Sequence, residues 1–481
     1  MPSIRIARAA DGRLIASGLS CWSAGYQAGD GAGIFAGWRF EGGRFALFND
    51  RYGLHPLFCW QSDDACVIAD SVQALLEAGA PRALNEDALA VFVRIGFFLG
   101  DDTPFRAIRA VPPSAVLDPA TLGISGRLPR PRPAALGRDD AIDAFLAVFD
   151  RAIARRPVRG RFEMPLSGGR DSRHILLALH RAGAHPAACV TVDPFPPRTQ
   201  ADRRVAAAVC ERLAIPHRAL RQPLPRLEAE RDKNRRTSLC AAEHAQFVAL
   251  ADDLAGRTCE SYDGIAGDVL TQSAYLTTDL HAAFASGDWL AAADGVLNAG
   301  GRAVSEPALA RLLQPAWLAR LSRDRARGRV ARAAREVSGW PNPVAAFYFW
   351  NRTRREIALA PFALMRPVTM LAPFLDPEVF DLLAGLPAAL QLDRRFHTDA
   401  IARAYPEVRD VPYAVETGST GAPGARRLAA ALGSTMWRRR DWFNLRGMAP
   451  SLLATAADGR AERLWHLPLT VWLAEMLVCR G

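Results

Sequence analysis

The chain has 481 residues, enough for two or three domains, each with a core of its own. Half of them are hydrophobic and 23% are charged, a globular balance that excludes a disordered chain or a membrane bundle. The net charge of +10 comes from arginines spread over the whole length, with Lys233 the only lysine and no dense basic run, so a nucleic-acid partner is not expected.

No long apolar run follows Met1-Pro-Ser-Ile-Arg5, and no window approaches the roughly eighteen apolar residues of a membrane span. A cytoplasmic protein without a membrane partner is expected. The eight cysteines form no C-x-x-C pair and read as reduced, buried thiols. Short apolar runs at 33–40, 43–48, 57–60 and 66–69, separated by Gly or Asp turns, predict a β-rich N-terminal domain. Arg127-Leu-Pro-Arg-Pro-Arg-Pro133 reads as an extended linker, which sets the domains at 1–133 and 134–481.

Beyond the linker, 139–149 has an acidic start and helical spacing. Residues 161–166 form a predicted strand that feeds Ser167-Gly168-Gly169-Arg170-Asp171-Ser172, and a helix follows over 174–180, stopped by Ala182-Gly183. A strand at 187–192, a helix at 202–213 and a strand after 217 continue the alternation. This order implies an α/β doubly wound parallel sheet, with ligands at the carboxyl ends of its strands. From 271 to 481 the periodicity is mostly helical, broken at Gly300-Gly301, Pro341-Asn-Pro343 and Pro373.

The turn at 167–172 carries chemistry. Two adjacent glycines let backbone N–H groups approach an anion, and the following helix adds the positive end of its dipole. Ser167 and Ser172 can donate to phosphate oxygens, and Asp171 can hold a divalent cation that neutralises them. On its own, a Ser-Gly-Gly turn is an ordinary helix cap. Here a second segment, Ser261-Tyr-Asp-Gly264-Ile-Ala-Gly267-Asp268-Val-Leu270, adds a glycine-rich turn and another carboxylate. Asp171 and Asp268 with phosphate oxygens would make a hard-cation site of the kind Mg²⁺ prefers.

The hexapeptide S-G-G-x-D-S resembles the PP-loop of ATP pyrophosphatases, and 261–270 resembles the second acidic loop of asparagine synthetases. Asn49-Asp-Arg-Tyr-Gly-Leu-His-Pro-Leu-Phe58, Ile68-Ala-Asp-Ser71 and Val111-Pro-Pro-Ser-Ala-Val-Leu117 resemble that family's N-terminal glutaminase domain. The resemblance extends to Leu371-Ala-Pro-Phe-Leu-Asp376 and takes in β-lactam synthetases and lasso-peptide macrolactam cyclases. It implies a sandwich of the Ntn-glutaminase type joined to a PP-loop synthetase domain with a largely helical C-terminal part. It also implies ATP and Mg²⁺ as cofactors. Ser167, Gly168, Gly169, Asp171, Ser172, Val190, Val192 and Gly264 would bind the nucleotide, and Asp171 and Asp268 the metal.

Two departures from the family matter. Its glutaminase uses an N-terminal cysteine, whereas Pro2 stands here and Cys21 lies inside the chain. The segment before Gly33 is also expected to be too short for the family's glutamine-binding strands, so the N-terminal domain reads as degenerate. Secondly, the lysine the family carries after P-F-L-D is missing, since no lysine follows Lys233. Arg394, Arg395 or Arg426 is expected to supply that charge, with Lys233 next in line. Arg352 and Arg355 could hold a carboxylate or phosphate or equally be solvated helix faces, and Glu243 and His244 could reach the cleft, although a satisfied structural histidine is the favoured reading.

The expected activity is ATP-dependent amide-bond formation. A substrate carboxylate is adenylated and an amine then displaces AMP. The substrate is a small molecule or peptide carrying both groups, with intramolecular ring closure favoured. A precursor peptide and leader protease would then be partners. Amidation of a small acid or sugar acid by external ammonia, or an inactive scaffold, are the alternatives.

Overall fold

The computed structural model describes residues 1–29, 31–273, 275–299, 304–415 and 424–480. Its first strands are β1 (Ser3–Arg8), β2 (Leu14–Gly18), β3 (Cys21–Gln27), β4 (Gly33–Glu41), β5 (Arg44–Asn49), β6 (Phe58–Gln61), β7 (Ala65–Ala69) and β8 (Ile108–Ala110). They form a five-stranded antiparallel sheet, β2-β1-β7-β6-β8, and a three-stranded one, β3-β4-β5. Alternate residues from both sheets, Ile4 and Ile6, Ala36 and Trp38, Cys66 and Ile68, meet in one small core, as the two-residue period of a strand requires.

The four predicted strands are β4 to β7. The segment before residue 33, for which no strands are predicted, holds three, β1 to β3. Their signal was weak because β2 and β3 have no fully buried residue. Ser, Gly and Gln on their outer faces break up any apolar run.

Helix α1 (Val72–Glu77) leads to α2 (Glu86–Ile95). Asn85 caps α2, Glu86 and Asp87 sit at its positive end, and Gly96 ends it at φ +83°. All of α2 from Ala88 onward is buried, and Phe92 stacks at 4.0 Å on Trp472 of the last helix, Leu467–Arg480. The larger core therefore runs from Ile34 through the 133/134 boundary to Leu477. Arg354 crosses the same boundary, with Nη2 donating to Asp101 Oδ1 at 2.8 Å and to the Val111 carbonyl at 2.9 Å. Arg366 does likewise with Asp70 at 2.6 Å. The Pro/Arg linker has no regular structure, and the Ala134 amide at its end donates to the Gly385 carbonyl at 2.8 Å.

After the hairpin of β9 (Val116–Leu117) and β10 (Ile124–Ser125) comes α3 (Arg138–Arg155). The expected alternation follows as β11 (Glu163–Pro165), α4 (Asp171–Arg181), β12 (Ala188–Val192), α5 (Ala201–Arg212) and β13 (His217–Leu220). These strands pair in parallel as β11-β12-β13. Helices α6 (Arg226–Arg236) and α7 (Phe247–Ala255) lead to β14 (Glu260–Tyr262), the short α8 (Gly267–Thr271) and, much later, β15 (Thr369–Leu371).

Strands β14 and β15 form a second parallel pair. The Ser261 hydroxyl donates to the Glu163 carbonyl at 2.7 Å, which sets β14 beside β11. Strand order thus runs in opposite directions from β11 and β14, and a crevice opens at their carboxyl ends.

The remainder is helical as expected. Pro343 opens a helix at Pro343–Tyr348 and Pro373 a short 3₁₀ turn, while Gly300-Gly301 lies outside the described residues. Phe349–Ile357 is a π-helix. Among the described residues, no helix is long and apolar enough to cross a membrane.

Candidate active site

A cavity of about 330 Å³ opens at the crevice between β11 and β14, and Ser167, Asp171, Ser172, Val190, Val192, Gly264 and Asp268 all line it. Asp263, the first residue of the D-G-I-A-G-D turn, lines it too. The cavity lies where the chain leaves β11 for α4, where β12 ends, and where β14 turns into α8.

The first loop is internally bonded. The Ser167 amide donates to Ser172 Oγ at 3.1 Å, the two serine hydroxyls are 3.0 Å apart, and the Gly169 amide donates to Ser167 Oγ at 3.2 Å. The Gly168 amide donates to Asp202 Oδ1 at 2.8 Å. A Cβ on Gly168 would collide with that of Ala414, because Arg173, buried on α4, holds the carbonyls of Val411 and Pro412 against the loop at 2.8 and 2.7 Å.

The second loop closes directly on Asp171. A Cβ on Gly267 would sit 2.6 Å from Asp171 Oδ1, and one on Gly264 would sit 2.7 Å from Asp171 Cβ. Glycine is required at both places for the two loops to touch. Ala266 adopts φ +72° between them, a left-handed conformation that opposes any residue with a Cβ.

Three carboxylates crowd this closure. Burial, with Asp171 nearby, pushes the Asp263 carboxyl up to about 6. Burial and Asp171 also raise Asp268, with Arg352 opposing them. Asp171 Oδ1 is buried without a hydrogen-bond partner. Among the described residues, no three His, Cys, Asp or Glu groups converge as a complete ligand set. Asp171 and Asp268 offer two carboxylates, a number compatible with an ion such as Mg²⁺ that completes its shell with phosphate and water oxygens.

The three arginines expected to replace the family's lysine are directed elsewhere. Arg394, at φ +57°, donates to the Leu276 carbonyl at 3.2 Å. Arg395 is exposed, 3.7 Å from Asp399, and Arg426 donates to the Ala457 carbonyl at 2.8 Å. None lines the cavity. Lys233 is wholly buried, with Nζ bonded to the carbonyls of Ala241 and Ala242 at 3.0 and 3.1 Å and 3.2 Å from Glu230.

Arg352, 9% exposed, does not line the cavity either, where Arg198 is the arginine present, but it stands beside the Tyr275 ring at 5.2 Å and is felt by Asp268. Arg355 instead donates to the Asp102 carbonyl at 2.7 Å. In a π-helix, i→i+5 bonding shifts side chains off the 3.6-residue pattern, so periodicity could not assign these arginines to faces.

His244 does reach the cavity. Burial, with Arg352 and Lys233 nearby, holds its imidazole down at about 3, and its backbone sits at φ +83°. Together with Pro194, Arg198 and Gln246, His244 also lines a second cavity of about 330 Å³, which Glu243 and Trp465 help to form.

Residues 20–127 match the family model of a glutamine amidotransferase domain, which corresponds to the N-terminal sheets from β3 onward and to α1 and α2. The chain thus carries an amidotransferase-type domain, consistent with the N-terminal half of an asparagine-synthetase-like enzyme. No curated protein matches the chain.

Proposed function

We propose that the chain is an ATP-dependent ligase that activates a substrate carboxylate as its acyl-adenylate and passes the acyl group to an amine. The observation that carries this reading is the closure of the D-G-I-A-G-D loop on Asp171, through two positions that admit only glycine. ATP is a substrate here, with its phosphates against the loop at 167–172 and its base beside Val190 and Val192.

Asp171 and Asp268 would hold Mg²⁺, which supplies charge neutralisation on the phosphates. The serine hydroxyls and loop amides, now bonded to one another, would turn to phosphate oxygens and orient the α-phosphate toward the carboxylate. The second cavity, joined to the first through Arg198 and His244, offers room for the acid and its amine. Arg352 would supply the fixed charge expected of the family's lysine.

The amine is read as part of the substrate, which makes the reaction a ring closure. Cys21 opens β3, opposite Arg39, and follows β1 and β2 in this chain, so its nitrogen is a peptide nitrogen and cannot serve as the base of an N-terminal nucleophile. Asp70, in the segment that resembles the family's A-S-E, is engaged by Arg366.

ATP–pyrophosphate exchange tests the reading. Asp171→Asn should abolish exchange and leave the fold intact, a loss of several kcal/mol of charge stabilisation. Exchange at the wild-type rate in that variant would refute the assignment of the cleft.

A further inference from the structure

We propose that His397, oriented by His174 and Thr271, is the positioning residue that fixes the Asp171 carboxylate for metal binding. The inference rests on the reading of Asp171 as a metal ligand. His397 lies on the helix Phe396–Ala404, and both histidines are fully buried against the rings of Phe145 and Phe374.

The hydrogen bonds assign the protons. The Thr271 hydroxyl donates to the Gly267 carbonyl at 2.6 Å, so its only proton is used. Its oxygen, 3.0 Å from His397 Nδ1, must therefore accept, and Nδ1 carries a hydrogen. In a neutral ring Nε2 is then bare and accepts from His174 Nδ1 at 3.0 Å. That leaves the bare nitrogen of His174 at Nε2, the atom that has no partner among the surrounding apolar groups. The opposite tautomers would bury an orphaned N–H there, the costlier arrangement. The two ends of the chain thus give the same answer independently.

The consequence falls on Asp171. His397 Nδ1 lies 3.3 Å from Asp171 Oδ1, so a nitrogen whose hydrogen is bonded to Thr271, not a bare lone pair, stands against a buried carboxylate oxygen. A bare Nδ1 would present a lone pair at that distance and repel it. Because Oδ1 is inaccessible, the 23% exposure of the Asp171 side chain belongs to its other atoms. His397 also ties Asp171 on α4 to Thr271 and Gly267 on α8, which holds the two acidic loops in register. Supports of this kind behind a ligand commonly tune metal affinity.

Two substitutions that differ in one donor position test the assignment. Asparagine places an amide N–H near Nδ1, and glutamine places its own near Nε2. The probe is Mn²⁺, titrated by electron paramagnetic resonance into the full chain with α,β-methylene-ATP, which is not cleaved at the α–β link. His397→Gln should weaken Mn²⁺ binding by about 10- to 100-fold, with His397→Asn within about threefold of wild type, the range expected for a ligand's supporting residue.

Metal-free binding of the analogue should be the same in both variants. Equal Mn²⁺ affinities in the two would overturn the proposal. If the glutamine variant does not fold, Thr271→Val, which removes the acceptor that sets the tautomer, takes its place, and wild-type Mn²⁺ affinity there overturns it equally. Asp171→Asn separates the two levels. Undiminished Mn²⁺ binding in that variant would remove the metal site itself, whereas loss there with no effect at His397 would remove only the positioning role.

Discussion

Replacing Gly267 by alanine perturbs the contact between the two loops while changing no charge and no donor. The new methyl carbon would lie 2.6 Å from Asp171 Oδ1 and 2.9 Å from Asp171 Cβ, against about 3.5 Å for carbon atoms in favourable contact. The carboxylate must retreat by about 1 Å, a misplacement that can cost about 100-fold in rate. Overpacking at a buried site adds about 1–3 kcal/mol of instability. Gly264→Ala should behave alike, with neighbours at 2.7 and 3.1 Å. Gly328→Ala, on the helix Arg323–Glu336 away from the cavity, is the internal control, because a Cβ there meets only Arg332 Nη1, at 3.9 Å. ATP–pyrophosphate exchange and thermal unfolding, run in parallel on the three variants, separate lost geometry from lost stability. Exchange in Gly267→Ala equal to that in Gly328→Ala would refute the claim that the loops must touch at Asp171.

Lys233→Met should cost about 3 kcal/mol of stability in urea titrations, because the buried Glu230 loses its nearer cation and keeps Arg226 at 3.8 Å, yet the activity of the folded fraction should persist. Arg352→Met should lower amide formation by about 100-fold or more, the scale of one lost charge-stabilising group, with Arg395→Ala and Arg426→Ala near wild type; steady-state kinetics on the three decides. His55 is held down at about 3, chiefly by burial and then by Arg366. Its unfolded state takes up a proton below pH 6.5 that the native state refuses, so its contribution to stability falls as pH drops from 6.5 toward 3. His55→Gln should therefore flatten the loss of stability between pH 6.5 and 5 by about 1 kcal/mol per pH unit, as read from urea midpoints.

The parts of this protein that were legible in its sequence are those with local signals. A strand, two glycines and an amphipathic helix mark 161–181 within one stretch, and the β12, α5 and β13 alternation has clear periods. The second loop was readable from its own glycines. Strands β1 to β3 were not, since the buried Ile4 and Ile6 of β1 alternate with Arg5 and β2 and β3 hold no fully buried residue, so no apolar run forms. His397 stands just after Arg394 and Arg395, whose charge is the local signal in that stretch. Its partners, Asp171, His174 and Thr271, lie more than a hundred residues away, and nothing local tells which face of its helix turns toward them. Arg352 was obscured by the π-helical spacing around it.

The stacking of Phe92 on Trp472 bears on how the chain is made. Helix α2 is synthesised early, but its aromatic partner emerges roughly 380 residues later, about 20–80 s at the usual pace of translation. Until then Phe92, Val93 and the rest of that helix lack part of their cover, a sticky surface of the kind that recruits chaperones. The N-terminal half is therefore expected to complete its folding only after the last helix leaves the ribosome. Truncation or late stalling near the C-terminus would then damage the first domain as surely as the last.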